Sequence, residues 1–207
     1  MSAAALKLTE RDMLNLLGVK YGRAFGNGRR YALAEHVRAT SGYSPCRTID
    51  FMAQDTWDSG KQAISGFEVK VSRADWLTEL RDPAKAGAFM PYMHYWWLVA
   101  ADKTIVRDDL PEGWGLMVKR GKGLGVVTAA PYRDALDMPK SMRASLMRAT
   151  AKTSQRKIMR QVSCALAGDL DALPLCDRYI PGYRCRLERE TLCLPCRLRA
   201  ELGGLAA

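Results

Sequence analysis

Hydrophobic and polar positions alternate with a period of two in residues 66–72 of the sequence. The apolar positions are Phe67, Val69 and Val71, and the polar ones are Glu68, Lys70 and Ser72. Because successive side chains of a β-strand point to opposite faces of its sheet, this pattern predicts a strand with its apolar residues on one face and its polar residues on the other. Ser72 followed by Asp75 is a capping-box pattern, which predicts a short helix that begins directly after the strand and ends before Pro83.

The pattern elsewhere predicts further strands and helices. Residues 47–53 alternate in the same way, and residues 92–101 are nearly all apolar, which is typical of a buried central strand. Strands are also expected at 114–118 and 125–128, as a hairpin, and helices at 8–25, 30–40 and 140–167. We therefore expect an α/β domain over residues 1–168, followed by a small Cys-rich and Arg-rich tail over residues 169–207.

The composition agrees with a folded chain. Of its 207 residues, 48% are hydrophobic and 26% are charged, which excludes an intrinsically disordered protein. No stretch of eighteen apolar residues is present, and the first residues lack the basic-then-apolar pattern of a secretion signal. The sequence therefore predicts a cytoplasmic protein.

Positive charge is concentrated in the second half of the chain. The net charge is +10, and between Lys140 and Arg160 there are seven lysines and arginines and no acidic residue. Four of these cations recur every four residues and form a stripe along the predicted helix: Arg148, Lys152, Arg156 and Arg160. Such a stripe predicts contact with the phosphates of DNA, although a solvated helix face is the alternative.

A second group of charged residues lies on the predicted strands. Alternation places Glu68 and Lys70 about 7 Å apart on one face of a strand, and Asp50 occupies the polar face of the strand before it. Two carboxylates suit Mg²⁺ or Mn²⁺, and the carbonyl of Val69 is a further candidate ligand. Such an ion activates water for phosphodiester hydrolysis, and the ammonium of Lys70 would offset developing negative charge. A charged, solvated strand face is the alternative.

These motifs resemble those of a known superfamily. Glu35 on a predicted helix, Asp50 on a strand and Glu68-Val69-Lys70 on the next strand are similar to the ordered motifs of PD-(D/E)xK nucleases. The segments FEVKVSRADWLTELRDP, YWWLVAAD and LPEGWGLMV resemble the MmcB-like DNA repair proteins within it. Ile49 stands where the superfamily name has proline.

The resemblance covers roughly residues 30–130 and implies a restriction-endonuclease-like fold, a mixed four-stranded sheet flanked by helices. It also implies a Mg²⁺-dependent endonuclease site. In that site Asp50 and Glu68 are the metal ligands, Lys70 is the catalytic lysine and Glu35 is an auxiliary acid.

Four of the six cysteines lie in the tail, at positions 176, 185, 193 and 196. Cytoplasmic cysteines stay reduced, and four thiolates satisfy a tetrahedral Zn²⁺ ion. We therefore expect Cys176, Cys185, Cys193 and Cys196 to bind structural zinc. Scattered buried cysteines and an iron–sulfur cluster are the alternatives.

The sequence as a whole predicts a metal-dependent DNA endonuclease that acts on branched or damaged DNA and that could form a homodimer. Lys85 and Tyr92 are weaker candidates for phosphate contacts. A DNA-binding adaptor that keeps the nuclease fold without cutting is the main alternative, and an RNA-directed nuclease is a third.

Overall fold

A computed structural model of the protein describes residues 8–22, 24–25, 28–40 and 47–166, with the side chains of all of these except 24–25, 28–29 and 157–166. The helices are α1 (Glu10–Tyr21), α2 (Arg73–Arg81), α3 (Ala84–Gly87) and α4 (Lys140–Leu166). The strands are β1 (Ala24–Phe25), β2 (Gly28–Arg29), β3 (Tyr31–Arg38), β4 (Thr48–Asp55), β5 (Ile64–Lys70), β6 (Tyr95–Ala100), β7 (Gly115–Arg120) and β8 (Gly123–Thr128).

Six of the strands form one mixed sheet in the order β3-β4-β5-β6-β7-β8. Strand β4 pairs antiparallel with β3 and with β5, whereas β5, β6 and β7 run parallel to one another. Strand β8 returns antiparallel to β7 as the predicted hairpin. The expected mixed α/β architecture is therefore confirmed, with six strands where the resemblance implied four.

Each face of the sheet carries an apolar layer. On one face, Leu14 and Leu17 of α1 pack in a cluster with Phe51 and Phe67. The cluster on the other face is larger and contains three buried tryptophans, Trp76, Trp96 and Trp114. Gly66 makes room for one of them, since a Cβ at this position would lie 2.7 Å from the Trp96 ring. The β5–β6 pair thus lies at the centre of the sheet, between the two apolar layers.

Strand β3 corrects the prediction of a helix over residues 30–40. The spacing of Leu33 and Val37 fits one face of a helix, but the two side chains belong to clusters on opposite faces of the sheet. His36 adopts a φ of 53°, which disturbs the alternation between them. Buried positions consequently recur without the period-two pattern of a strand, and Glu35 lies on a strand rather than on a helix.

Helix α2 begins as expected. The hydroxyl of Ser72 accepts a hydrogen bond from the backbone N–H of Asp75 and caps the helix. The loop before β7 contacts this helix, because Asp109 pairs with Arg73 at 2.6 Å and accepts a hydrogen bond from the indole of the buried Trp76 at 3.0 Å. These bonds lower the pKa of Asp109 to about 2, the bond to Arg73 being the largest cause. These bonds tie the first turn of α2 to the loop before β7.

The chain divides into two compact units, one of residues 1–23 and 30–151 and one of residues 24–29 and 152–207. The six-stranded sheet lies in the first. The predicted boundary between residues 168 and 169 lies outside the described residues. In the part of the chain that the structure describes, no helix has the length and hydropathy needed to cross a membrane.

Candidate metal centre

Strand β5 presents its charged residues on the face opposite α1. Phe67 and Val69 point into the apolar cluster beneath α1. Because alternate side chains of a strand face opposite ways, Glu68 and Lys70 point to the other face, where both contact residues that follow the strand. The alternation expected for this segment is confirmed.

Asp50 lies beside this pair. Strands β4 and β5 pair antiparallel, with Phe51 opposite Phe67. One residue further along, the carboxylate of Asp50 accepts a hydrogen bond from the backbone N–H of Val69 at 2.8 Å. The structure thus brings together Asp50, Glu68 and Lys70 around the backbone of residue 69.

The alternation of side chains between the two faces of the sheet is interrupted in β4 at Asp50. Ile49 and Phe51 are two residues apart and would share a face in a regular strand. They belong instead to the apolar clusters on opposite faces of the sheet. Glu35 pairs with Phe51 and Val37 pairs with Ile49, so His36 of β3 lies opposite Asp50 of β4. Ligand atoms of Glu10, His36 and Asp50 all lie within 4.8 Å of one another. Asp50 therefore has Glu10 and His36 as neighbours on one side and Glu68, on the adjoining strand β5, on the other.

Two helices add further charges to the face that Glu68 occupies. Helix α2 contributes Glu79, whose Oε2 accepts from Lys70 Nζ at 2.9 Å. Helix α3 contributes Lys85, whose Nζ donates to Glu68 Oε2 at 2.5 Å and lies 3.3 Å from Glu79 Oε2. Lys70 Nζ is itself 3.8 Å from Glu68 Oε2 and 3.8 Å from Asp75 Oδ1. We call Glu68, Lys70, Glu79 and Lys85 the charged cluster.

The charged cluster is buried at one end and open at the other. The side chain of Glu68 has no exposed surface, and those of Lys70 and Glu79 are 6% exposed. Lys85 is 23% exposed, so solvent reaches the cluster on its side. Oε1 of Glu68 and Oε1 of Glu79 are buried without a hydrogen-bond partner among the residues that the structure describes. Such oxygens are costly to leave unsatisfied, and both are acceptors that a cation could use.

The electrostatics of the cluster reflect this burial. Desolvation and, after it, repulsion from Asp50 raise the pKa of Glu68 well above its usual value, against the attraction of Lys85. Burial alone would lower the pKa of Lys85, but attraction to Glu68 and Asp50 outweighs burial and raises it. The negative charges of Glu68 and Asp50 thus favour the ammonium form of Lys85, which contacts Glu68 directly.

Glu35 does not join this group. It lies on β3, in register with Phe51, and its side chain faces α1, where its Oε2 accepts from Arg11 at 2.6 Å. Glu68 points to the other face of the sheet. The structure therefore places the expected auxiliary acid on the opposite face of the sheet from Glu68 and Lys70.

Glu79 was not among the expected site residues, and Lys85 was expected only as a phosphate contact. A signal for Glu79 was present in the sequence. Asp75 and Glu79 are four residues apart on the helix that follows β5, so they share the helix face that looks back toward the strand. Lys85 follows after Pro83, and the sequence pattern does not fix the direction of the chain there.

The basic helix is confirmed as α4. On it the side chains of Arg148, Lys152 and Arg156 are exposed, while that of Arg160 lies outside the described side chains. The four cysteines expected to bind zinc, at positions 176, 185, 193 and 196, lie outside the described residues.

Comparisons with known proteins do not name a family. No protein-family profile matches the chain, and no curated protein matches it. A solved structure that resembles it is the SPO1766 protein of unknown function from Silicibacter pomeroyi. The two share 19% sequence identity and a TM-score of 0.44, over 62% of this chain and 77% of that one. The function of the chain must therefore be argued from its own residues.

Proposed function

We propose that the protein is a divalent-metal-dependent DNA endonuclease with a restriction-endonuclease-like domain of the PD-(D/E)xK type, similar to the MmcB-like DNA repair proteins. One observation carries the proposal. The carboxylate of Asp50 bonds to the backbone N–H of Val69, next to Glu68 on the adjoining strand, and the two carboxylates repel each other. An oxygen of Glu68 is buried without a partner among the described residues. Two ammonium groups lie on the same face.

The donor set fits a hard cation. Asp50, Glu68 and the carbonyl of Val69 would hold Mg²⁺ or Mn²⁺, both of which prefer oxygen ligands and keep several waters. When bound, such an ion supplies Lewis-acid polarisation of a phosphate and lowers the pKa of a coordinated water. The unpartnered Oε1 of Glu68 supports this fit, because a buried carboxylate oxygen is otherwise unfavourable.

The lysines supply positive charge beside the carboxylates. Lys70 is held by Glu79 at 2.9 Å, so its ammonium is fixed in place before substrate arrives. A fixed ammonium that orients water or faces the growing charge of a pentavalent phosphate stabilises the transition state without reorganising. We assign Glu79 the task of positioning Lys70.

DNA is the substrate that the charge distribution favours. Arg148, Lys152 and Arg156 are exposed on α4, and Arg160 continues their four-residue spacing in the sequence. Cations at this spacing neutralise phosphates and release counterions. We further propose that Cys176, Cys185, Cys193 and Cys196 bind a structural Zn²⁺ ion, and that the tail arginines also contact nucleic acid.

Cleavage assays test the function directly. Purified protein would be incubated with linear, nicked, forked and four-way-junction DNA, and with matched RNA, in Mg²⁺ or Mn²⁺. We expect Glu68→Gln and Asp50→Asn to abolish cleavage, since both remove ligand charge while keeping side-chain shape. Glu112→Gln, an exposed acid in the loop before β7, serves as the matched control and should cut normally. Wild-type protein that cuts none of these substrates would refute the proposal.

A non-cutting DNA-binding adaptor is the second candidate. The observation in its favour is that Lys70 and Lys85 already neutralise Glu68 and Glu79, so the charges of the cluster are balanced without a metal ion. The two candidates differ in metal dependence. An adaptor would bind forked DNA equally well in EDTA and in Mn²⁺, and Glu68→Gln would leave binding and repair function intact.

A further inference from the structure

Lys85 stands closest to the carboxylate that the proposed metal site needs most. Its Nζ is 2.5 Å from Glu68 Oε2, while Lys70 Nζ is 3.8 Å from the same oxygen. It also lies in the field of Asp50, the other proposed ligand. The ammonium of Lys85 therefore contacts one of the two carboxylates that would share a divalent cation and is attracted to the other.

We propose that Lys85 is an internal cation that holds the site in its metal-free form and that leaves Glu68 when a divalent cation binds. The inference rests on the proposed metal site, but it concerns how that site is emptied and filled rather than whether it cuts DNA. The residues that carry it are Lys85, Glu68 and Asp50.

Position in the fold makes Lys85, rather than Lys70, the group that moves. Lys70 extends from the central strand β5, is 6% exposed and is held at 2.9 Å by Glu79. Lys85 extends from α3, a helix of four residues, and is 23% exposed. Its longer contact with Glu79, 3.3 Å, is weaker. A flexible side chain at the open end of the cluster can turn to solvent, whereas a buried one cannot.

Charge makes the exchange necessary. Glu68 is fully buried and cannot stay ionised without a cation at close range. A divalent cation and an ammonium at the same carboxylate would repel each other strongly in a site that is screened only on one side. Departure of Lys85 removes this repulsion and leaves its ammonium at the solvent-facing side of the cluster, where an anionic substrate would approach.

Two measurements on the full chain test the exchange, neither of which needs cleavage. The first is calorimetric titration with Mn²⁺, counting only the binding event that Glu68→Gln abolishes. We expect Lys85→Met to bind Mn²⁺ about tenfold tighter or more, because the competing ammonium is gone while Lys70, 3.8 Å from Glu68 Oε2, still favours the ionised carboxylate. Lys61→Met is the matched control, since Lys61 is an exposed lysine before the opposite end of β5, and its affinity should equal that of wild type.

The second measurement uses wild-type protein, so it does not depend on whether a variant folds. Lysines would be acetylated with a water-soluble ester, and the modification of Lys85 would be followed by mass spectrometry. We expect slow acetylation of Lys85 without metal and at least about fivefold faster acetylation in saturating Mn²⁺, with Lys61 unchanged.

The outcomes separate this inference from the proposed function. Mn²⁺ affinity in Lys85→Met equal to or weaker than wild type, or Lys85 acetylation that Mn²⁺ leaves unchanged or slows, overturns the exchange even if the protein cuts DNA. Tighter binding and faster acetylation support the exchange even if no substrate is cut. Wild-type protein that binds no Mn²⁺ at Glu68 overturns both.

Discussion

Glu79 holds the ammonium of Lys70 at a place that water barely reaches, so its removal tests how the charged cluster is stabilised. The two side chains are each 6% exposed and are joined at 2.9 Å. Removing one partner of a buried pair costs about 3–5 kcal/mol, because the other charge stays buried. In Glu79→Ala, Glu68 remains 3.8 Å from Lys70 and compensates in part. We therefore expect the free energy of unfolding to fall by about 2–3 kcal/mol.

Urea unfolding followed by tryptophan fluorescence measures this loss in the unit that contains the cluster. The probes are suitable because three tryptophans of that unit are buried in its core, namely Trp76, Trp96 and Trp114. The control is Asp82→Ala, which removes an ion pair between Asp82 and Arg47 whose side chains are 49% and 42% exposed. Because exposed ion pairs contribute little to stability, this variant should unfold close to wild type.

A double variant distinguishes the buried charge from lost packing. Lys70→Met with Glu79→Leu removes both charges and keeps apolar volume, so it should recover most of the stability lost in Glu79→Ala. If Glu79→Ala unfolds with the same midpoint as Asp82→Ala, or if the double variant is less stable than Glu79→Ala, then the Lys70–Glu79 pair is not the stabilising contact described here.

Three further predictions concern other parts of the first unit and the basic helix. Gly66→Ala should lose about 1–3 kcal/mol of unfolding free energy in urea, because the new Cβ would overlap the Trp96 ring. Gly87→Ala should keep its stability, because a Cβ at that position would meet open space. Equal losses in the two variants would contradict the proposed overlap with Trp96. Asp109→Asn should be less stable than wild type at neutral pH. Since the pKa of Asp109 is lowered from 3.8 to about 2, its stabilisation is complete above pH 3.8 and is lost as the pH falls toward 2. The unfolding free energies of wild type and Asp109→Asn, measured against pH, should therefore converge near pH 2. A difference between the two that persists at lower pH would refute the assignment. Lys152→Met should reduce the salt dependence of DNA affinity, with the slope of log K against log salt falling by about one. A slope equal to that of wild type would exclude Lys152 from the DNA contact.

The sequence predicts β5 and α2 well because their patterns depend on local physics. Alternation in residues 66–72 reports a strand with distinct faces, and a serine at the helix start satisfies an unpaired N–H wherever the helix lies. The proximity of Asp50 to Glu68 was also predictable, given that consecutive strands usually pair. The three residues that the sequence singled out as the centre of the site do lie together.

The errors arise where tertiary structure overrides the local pattern. Leu33 and Val37 of β3 are buried on opposite faces because His36 interrupts the alternation, and four-residue spacing then resembles a helix. Two charged partners, Glu79 and Lys85, depend on how α2 and α3 fold back over β5. The sequence pattern does not determine how these helices are oriented relative to β5. It therefore predicts two carboxylates and one lysine, where the structure has a larger cluster.

The short connection between β5 and α2 affects how the candidate site is assembled during folding. Only residues 71 and 72 separate the strand from the helix. All of the cluster, and Asp75 beside it, therefore comes from eighteen consecutive residues, 68–85. Most of the site can form by local folding of one segment, and Asp50 must be delivered by the pairing of β4 with β5. A slip of one residue in that pairing would turn Asp50 away from Glu68 while leaving the cluster intact. The alignment of a single strand pair thus decides whether this segment can form the proposed metal centre or remains a buried network of ion pairs.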